Sequence, residues 1–265
     1  MRRGRAVMRR WRLLDSGPGA GDWNMALDRA LLEGVAGDQA LEPATVGTAP
    51  VLRFYSWDAP TLSFGRMQRP PQNLLRRCAE LGVTAVRRPT GGKAILHHHE
   101  VTFSIIAPAA GLGTVIESYR IFARAIAAAL GRLGIRAAVC EPRQVPHRSG
   151  LLCFAAPASC DLEVGGRKLL GSAQARHGGA LLQHNSLPLV LAHELKEQLF
   201  PGAAAEESKT ATDLTAALDR EPSFDEVRDA VIAGFESELG ASFEPSALAP
   251  DELTAAEELR PVFAL

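Results

Sequence analysis

The chain has 265 residues, of which 46% are hydrophobic and 22% are charged, and its formal net charge is −1 at pH 7. This composition excludes an intrinsically disordered protein, a collagen-like repeat and a disulfide-dense miniprotein. No apolar run approaches the roughly 20 residues that span a bilayer. The basic N-terminus also lacks the apolar stretch and the cleavage site of a signal peptide. We therefore expect a globular, cytoplasmic protein.

The low net charge hides an asymmetry between two parts of the chain. Residues 1–204 carry 25 basic and 15 acidic residues, whereas residues 205–265 carry 4 basic and 15 acidic residues. We expect one domain in which residues 205–265 form an acidic, mainly helical C-terminal segment, with residues 1–10 as a disordered extension. The opposite charges of the two parts make docking of the acidic segment on the body a reasonable hypothesis.

Hydrophobic periodicity predicts the elements in chain order. Apolar residues at helical spacing predict a first helix over 22–36 with Asp22 as its N-cap, and a Gly/Pro/Thr-rich loop follows at 37–50. Strand patterns occur at 51–57, 61–66, 83–88, 94–107, 135–140, 160–176 (a hairpin with a Gly-Gly turn) and 178–190. Other helical patterns occur at 73–82, 118–134, 193–200, 223–239 and the Glu-rich end, and a second loop at 141–150. This succession predicts an α/β (α+β) fold with a central mixed, largely antiparallel sheet flanked by helices.

The first segment with candidate chemistry is RRPTGGKAILHHHEVTFS, residues 87–104. Gly91 and Gly92 follow a strand, where glycine lets the backbone approach a ligand closely. Arg88 lies beside them and His97 lies on the next strand. Taken alone, the pattern is also that of a tight turn with ordinary surface arginines, and it is neither a Walker loop nor a dinucleotide fingerprint.

Two further segments carry groups that can react. In GGRKLLGSAQAR, residues 165–176, Lys168 stands in an apolar strand, where a lysine can polarise a carbonyl group or hold a phosphate. A lysine on the solvent face of the strand is the alternative. In SGLLCFAAPASCD, residues 149–161, Cys153 lies in a loop that could present it as a nucleophile, although its apolar neighbours equally suit a buried cysteine.

Taken together with NMALDRALLE and RFYSWDAPTLSFGRMQ, these segments resemble the lipoate–protein ligase and octanoyltransferase family, whose members are relatives of biotin ligase. The resemblance covers about residues 11–200 and fades in the acidic segment. It implies a biotin/lipoate protein ligase-like catalytic domain with a tunnel for an eight-carbon acyl chain. Residues 1–204 would then be an acyltransferase catalytic domain, and residues 205–265 would belong to the same domain.

Three features favour the transferases of this family over its ATP-using ligases. Lys93 stands where the ligases typically carry a third glycine. Cys153 falls where the LipM type of octanoyltransferase has its nucleophilic cysteine, in a similar Cys-Phe-x-x-Pro-Ser context. Only about 60 residues follow the predicted sheet, whereas bacterial ligases usually have an extra C-terminal domain.

The resemblance implies an octanoyl-[acyl carrier protein]:protein N-octanoyltransferase that works without a cofactor. Cys153 would carry the acyl group as a thioester, and Lys168 would hydrogen-bond the acyl carbonyl. Arg88 would contact the phosphopantetheine or the carrier. The residues implied in substrate binding are Arg88, Thr90, Gly91, Gly92, His97, Gly171, Ser172 and Gln174. Cys160 is the alternative nucleophile, interpreted as a packing residue.

The implied partners are octanoyl-acyl carrier protein and a lipoyl domain, either the glycine-cleavage H protein or a dehydrogenase E2 domain. We expect a monomer that binds neither nucleic acid nor membrane. No metal is expected, because the consecutive residues His97, His98 and His99 point to alternate faces of a strand. The alternatives are an ATP-dependent lipoate–protein ligase, an amidotransferase between lipoyl domains, and a binding protein without turnover.

Overall fold

The computed structural model describes residues 10–37, 49–140 and 161–265. Cys153, Cys160, the loop predicted at 141–150 and most of the loop predicted at 37–50 lie outside these ranges. The strands are β1 (Arg10–Gly19), β2 (Val51–Trp57), β3 (Thr61–Phe64), β4 (Thr84–Arg87), β5 (Ile95–His97), β6 (Glu100–Pro108), β7 (Ala138–Val139), β8 (Leu162–Val164), β9 (Arg167–Lys168), β10 (Gly171–His177), β11 (Ala180–Pro188) and β12 (Ser242–Pro245). The helices are α1 (Gly21–Gly37), α2 (Gln72–Glu80), α3 (Val115–Arg132), α4 (His193–Leu199), α5 (Ala203–Thr210), α6 (Leu214–Leu218), α7 (Phe224–Leu239) and α8 (Pro250–Leu259).

The central sheet has six strands in the order β10-β11-β6-β2-β1-β12. Neighbouring strands from β10 to β2 pair antiparallel, whereas β2, β1 and β12 pair parallel. The predicted mixed, largely antiparallel sheet is therefore confirmed. Two smaller sheets have the orders β4-β3-β5 and β7-β8-β9.

Several element boundaries differ from those predicted. The prediction missed β1 and β12, and because Arg10 is the first residue of β1, it is not part of a disordered extension. The predicted strand 94–107 is divided between β5 and β6, which belong to different sheets. Asp22 lies in the first turn of α1 and not at its cap.

The alternation of side chains along the strands separates two cores. On one face, the sheet packs against α3 and α7 through a core that includes Phe54, Phe103, Phe122 and Phe235. On the other face it packs against α1, whose Leu27 and Leu31 are buried. The candidate site lies on this second face.

The C-terminal segment completes the domain. Helix α7 packs against α3, β12 extends the sheet beside β1, and α8 packs against α1. The Arg12 guanidinium donates to the carboxylate of Glu252 with an Nη2–Oε2 distance of 2.9 Å. Apolar packing and strand pairing thus hold the segment on the body, in addition to opposite charge. Within the described ranges, no helix is both long enough and apolar enough to cross a membrane.

The close packing of α3 and α7 predicts opposite effects for two glycine-to-alanine changes. A Cβ at Gly234 in α7 would lie 2.8 Å from the backbone nitrogen of Ala129 in α3 and would also meet the carbonyl oxygen of Ala125. We expect Gly234→Ala to lower the free energy of unfolding by about 1–3 kcal/mol. A Cβ at Gly131 in α3 would meet no atom within 4 Å. Because alanine favours a helix more than glycine does, we expect Gly131→Ala to raise the free energy of unfolding by about 0.5–1 kcal/mol. Urea denaturation measures both, and equal effects would contradict this account of the interface.

Candidate functional site

A cavity lies where the α1-facing side of the central sheet meets the smaller β4-β3-β5 sheet. On β2, β6 and β11 the side chains that point to this side are polar near the cavity, although most of the same face is apolar. The cavity is lined by Met25, Tyr55, Trp57, Arg88, Ile95, His97, Thr102, Gly171, Ala173, His184, Asn185 and Ser186. Of the residues predicted from the sequence, Arg88, His97 and Gly171 line it.

A buried ion pair between Asp28 of α1 and Arg53 of β2 forms the base of the site. Their side chains are 0% exposed, and Arg53 Nη1 donates to Asp28 Oδ1 over 2.8 Å. The same carboxylate oxygen accepts from Ser104 Oγ over 2.7 Å. Burial alone would raise the pKa of Asp28, but Arg53, His184 and Ser104 together lower it to about 2. Asp28 is therefore an anion throughout the neutral range.

His184 connects this ion pair to the predicted glycine turn. Its Nε2 lies 2.9 Å from Asp28 Oδ2, and its Nδ1 lies 3.0 Å from Thr90 Oγ1. Burial lowers the pKa of His184 below its ordinary value, against the effect of the Asp28 carboxylate. The neutral ring donates from Nε2 to Asp28 and accepts at Nδ1 from Thr90. Thr90 thus anchors the turn to the central sheet.

A second buried histidine faces the cavity with its own acid and hydroxyl. His97 Nδ1 lies 2.7 Å from Glu100 Oε1, and His97 Nε2 lies 2.8 Å from Ser63 Oγ. The His97 ring stacks on Trp57 with 4.2 Å between centroids. Burial would raise the pKa of Glu100, but His97 and the hydroxyls around the carboxylate lower it. The Glu100 anion accepts from Nδ1–H, which leaves Nε2 as the proton acceptor of the ring.

The Arg88 side chain stabilises the glycine turn by hydrogen bonds to its backbone. Its side chain is buried, and its guanidinium donates to the carbonyl oxygens of Ser63, Gly91 and Lys93 over 3.0, 2.6 and 2.7 Å. Gly92 has a φ of 91°, a conformation that favours glycine. The guanidinium therefore holds the turn together. Arg88 also lines the cavity, and its contact with the phosphopantetheine or the carrier stays a prediction.

Tyr55 contributes a buried hydroxyl to the cavity. Among the described residues, no atom meets the geometry of a hydrogen bond with this hydroxyl, although the Asp28 carboxylate is nearby. Burial raises the pKa of Tyr55 well above its ordinary value, and the nearby Asp28 carboxylate adds to this effect. The hydroxyl thus remains protonated and can donate to a bound molecule.

Lys168 lies on β9 and is buried. Its ammonium group is 2.7 Å from Asp161 Oδ2, and the two side chains are 1% and 3% exposed. Its carbonyl oxygen accepts from the amide of Thr212, and Lys168 pairs with Ala211. Ala211 packs with Ile95, which lines the cavity. The alternative of a solvent-facing lysine is wrong, and Asp161 keeps the charge of Lys168 balanced.

Ser172 and Gln174 do not point toward the cavity. The Ser172 hydroxyl donates to Asn185 Oδ1 over 2.9 Å, and Gln174 Nε2 donates to Gln183 Oε1 over 3.1 Å. The amide oxygen of Gln174 accepts from Ser118 of α3. Both side chains therefore lie on the α3 face of the sheet, and Asn185, the partner of Ser172, is among the residues that line the cavity. A role of Ser172 and Gln174 in substrate binding stays a prediction.

The sequence interpretation missed several polar residues of this site, and a signal existed for three of them. Asp28 interrupts the apolar stripe of a helix, and Arg53 stands inside an apolar strand. Glu100 opens a strand of β-branched and apolar residues. A charged residue at such a position is buried only when it is paired.

Among the described residues, no three His, Cys, Asp or Glu side chains are grouped as a metal site requires.

The buried ion pair predicts a strong effect on stability. Asp28→Asn leaves the Arg53 guanidinium without its counter-charge, so we expect the free energy of unfolding to fall by about 3–5 kcal/mol. The folded-state pKa of about 2 lies below the ordinary 3.8, so the contribution of Asp28 is complete above pH 3.8 and disappears as the pH falls toward 2. Urea denaturation from pH 7 to pH 2 should show this acid-dependent loss in the wild type and a smaller one in the variant. Glu226→Gln, which breaks the exposed pair with Arg220, is the control, and a loss from it as large as that of Asp28→Asn would contradict the prediction.

The chain was compared with known families and proteins. A family model for the lipoyl protein ligase A/B catalytic domain matches residues 21–236. The chain is 36% identical to octanoyltransferase LipM of Carboxydothermus hydrogenoformans, with 95% of each chain covered. It is 37% identical to octanoyltransferase LipM of Symbiobacterium thermophilum, with 94% of this chain and 91% of that protein covered. The similarity thus continues beyond residue 200, where the sequence interpretation placed its end.

Solved structures of the same fold include two lipoate ligases. One is a bi-partite lipoate protein ligase from Thermoplasma acidophilum, described with its E2 lipoyl domain, with a TM-score of 0.74, 22% identity and 96% and 92% of the two chains covered. The other is a lipoate–protein ligase A bound with ATP, with a TM-score of 0.74, 23% identity and 96% and 94% covered. These confirm the predicted biotin/lipoate ligase-like fold. The predicted class of enzyme, an octanoyltransferase, is confirmed by the LipM relatives. The chain therefore belongs to the lipoyl protein ligase A/B catalytic domain family.

Proposed function

We propose that the protein is an octanoyl-[acyl carrier protein]:protein N-octanoyltransferase that forms a thioester on Cys153. The observation that carries this proposal is the match over about 95% of the chain to proteins named octanoyltransferase. The acceptor is a lysine of a lipoyl domain, either the glycine-cleavage H protein or a dehydrogenase E2 domain. The T. acidophilum ligase of the same fold, which was described with an E2 lipoyl domain, supports this class of acceptor. The protein acts as a monomer without a cofactor.

In the first half-reaction, the octanoyl group moves from the carrier to the enzyme. The Cys153 thiolate attacks the carbonyl carbon of the thioester, a new C–S bond forms, and the bond to the sulfur of the carrier breaks. The departing carrier thiolate takes up the proton that the Cys153 thiol released when it formed the attacking thiolate. Because the donor is already a thioester, the step needs no ATP. The Lys168 ammonium stabilises the developing oxyanion, and its burial strengthens that interaction.

In the second half-reaction, the neutral amine of the acceptor lysine attacks the acyl-enzyme. A C–N bond forms, the C–S bond to Cys153 breaks, and one proton leaves the nitrogen. We assign this proton to His97 Nε2, which exchanges its contact with Ser63 Oγ for one with the amine, because Glu100 holds Nδ1–H and so fixes the ring with Nε2 as the acceptor. Glu100 is thus a positioning residue. The hydroxyl of Tyr55 donates a hydrogen bond to the acyl substrate inside the cavity.

Intact-mass spectrometry tests the nucleophile. After incubation with octanoyl-acyl carrier protein and no ATP, we expect an octanoyl adduct on the wild type that hydroxylamine removes, and no adduct on Cys153→Ala. Cys160→Ala is the matched control and should acylate like the wild type. If the adduct persists in Cys153→Ala and disappears in Cys160→Ala, the nucleophile is Cys160. If no adduct forms and the protein releases pyrophosphate from ATP in the presence of octanoate or lipoate, the protein is an ATP-dependent ligase and not a transferase.

Separate half-reactions test the role of His97. We expect His97→Asn to acylate Cys153 but to transfer the octanoyl group to a lipoyl domain about 10²–10⁴ times more slowly, because a proton acceptor is missing. The loss should shrink as the pH rises and the free amine needs less help from a base. His98→Asn, at the exposed neighbouring position, is the control and should keep the wild-type rate. Equal loss of both half-reactions in His97→Asn would instead give His97 a structural role.

A further inference from the structure

The surface beside the glycine turn is strongly basic. Residues 65–93 contain seven basic residues and one acidic residue, Glu80, although the whole chain has a net charge of −1. Arg88 is buried within the glycine turn, and the other basic residues are Arg66, Arg69, Arg76, Arg77, Arg87 and Lys93. Positive charge is therefore concentrated next to the cavity.

One part of this surface, a turn at residues 65–68, packs directly on the glycine turn. The Arg66 amide donates to the carbonyl oxygen of Thr90 over 2.9 Å, and the Thr90 hydroxyl reaches His184 in the cavity wall. A Cβ at Gly65 would overlap the carbonyl group of Gly92. The turn at 65–68 is thus joined to the wall of the site by hydrogen bonds and close packing.

Hydrogen bonds from buried and half-buried groups hold this turn in place. Arg87 Nη1 donates to the carbonyl oxygens of Arg66 and Gln68 over 3.3 and 2.6 Å. The amide of Gln68 donates to the carbonyl oxygen of Gly65 over 2.8 Å, and the amide of Gly65 donates to Gln68 Oε1 over 2.9 Å. A surface that is already ordered loses little conformational entropy when a partner binds.

The outer side chains of the turn are free to meet a partner. Arg66 and Arg69 are exposed, and within the described ranges neither guanidinium forms an ion pair. Met67, between them, is 83% exposed. A solvent-exposed methionine between two arginines is typical of protein interfaces, in which Met and Arg are enriched.

We propose that Arg66, Met67 and Arg69 form the docking surface for the carrier domain that delivers the acyl group, a domain with an acidic surface and a phosphopantetheine arm. This inference rests on the proposed function. The phosphate of the arm is an anion that guanidinium groups bind well. The reacting group of the acceptor is an amine, which has no negative charge for the guanidinium groups to bind, so the charge of this surface favours the donor. The adjacent turn leads the arm toward His97 and the cavity.

The charge-reversal variant Arg66→Glu/Arg69→Glu tests this docking surface. We expect its affinity for the holo carrier, measured by titration calorimetry, and its rate of acylation by octanoyl-carrier to fall by about 10- to 100-fold. Acylation by octanoyl-pantetheine, which has neither a carrier domain nor a phosphate, should stay within twofold of the wild type. The KM for the lipoyl-domain acceptor should also stay within twofold. Arg124→Glu/Arg132→Glu, two exposed arginines on α3, is the matched control and should bind the carrier normally.

Each contrary result has a distinct meaning. Normal carrier binding by Arg66→Glu/Arg69→Glu, or an equal loss in the α3 control, overturns the docking surface. A rise in the acceptor KM with unchanged carrier binding assigns the surface to the lipoyl domain and overturns the proposal. If the wild type binds the carrier through these arginines but never acquires an octanoyl group, the docking surface stands and the proposed function fails. Octanoyl-phosphopantetheine has the phosphate but no carrier domain. The rate at which it acylates the charge-reversal variant therefore separates recognition of the phosphate from recognition of the carrier surface.

Discussion

The structure around the cavity depends on the burial of one ion pair, Asp28 with Arg53. Taking two such charges out of water costs several kcal/mol per ion, and only good geometry with further hydrogen bonds offsets this cost. Here the Arg53 guanidinium donates to Asp28, Ser16 and the backbone and side chain of Asn24, and it lies 4.2 Å from the centre of the Tyr55 ring. These partners come from α1, β1 and β2, so the pair fixes the rotation of α1 about its axis against the sheet.

Two histidines with similar partners perform different tasks at this site. His184 sits between Asp28 and Thr90 and ties the glycine turn to the central sheet. His97 sits between Glu100 and Ser63 and presents its stacked ring to the cavity. Both rings line the cavity, but they differ in what they connect: the His184 set joins α1 to the glycine turn, and the His97 set joins β5 to the start of β6.

The sequence predicted the sheet class, most element positions and the glycine turn, because these depend on local periodicity and turn chemistry. It missed β1 and β12, whose parallel pairing joins residues about 230 positions apart in the chain, such as Arg10 with Ser242. It also grouped Ser172 and Gln174 with Gly171, although neighbours on a strand face opposite sides and only tertiary packing shows which side holds the cavity. The role of Cys153 came from family resemblance, and that residue lies outside the described ranges.

The position of β1 in the central sheet has a consequence for how the protein is made. Strand β1 lies between β2 and β12, so during synthesis one edge of β1 stays unpaired until β12, about 230 positions further along the chain, has left the ribosome. Pairing over such a separation is slow, and an unpaired edge invites contact with other chains. During synthesis the open edge of β1 is therefore a site that a chaperone can protect.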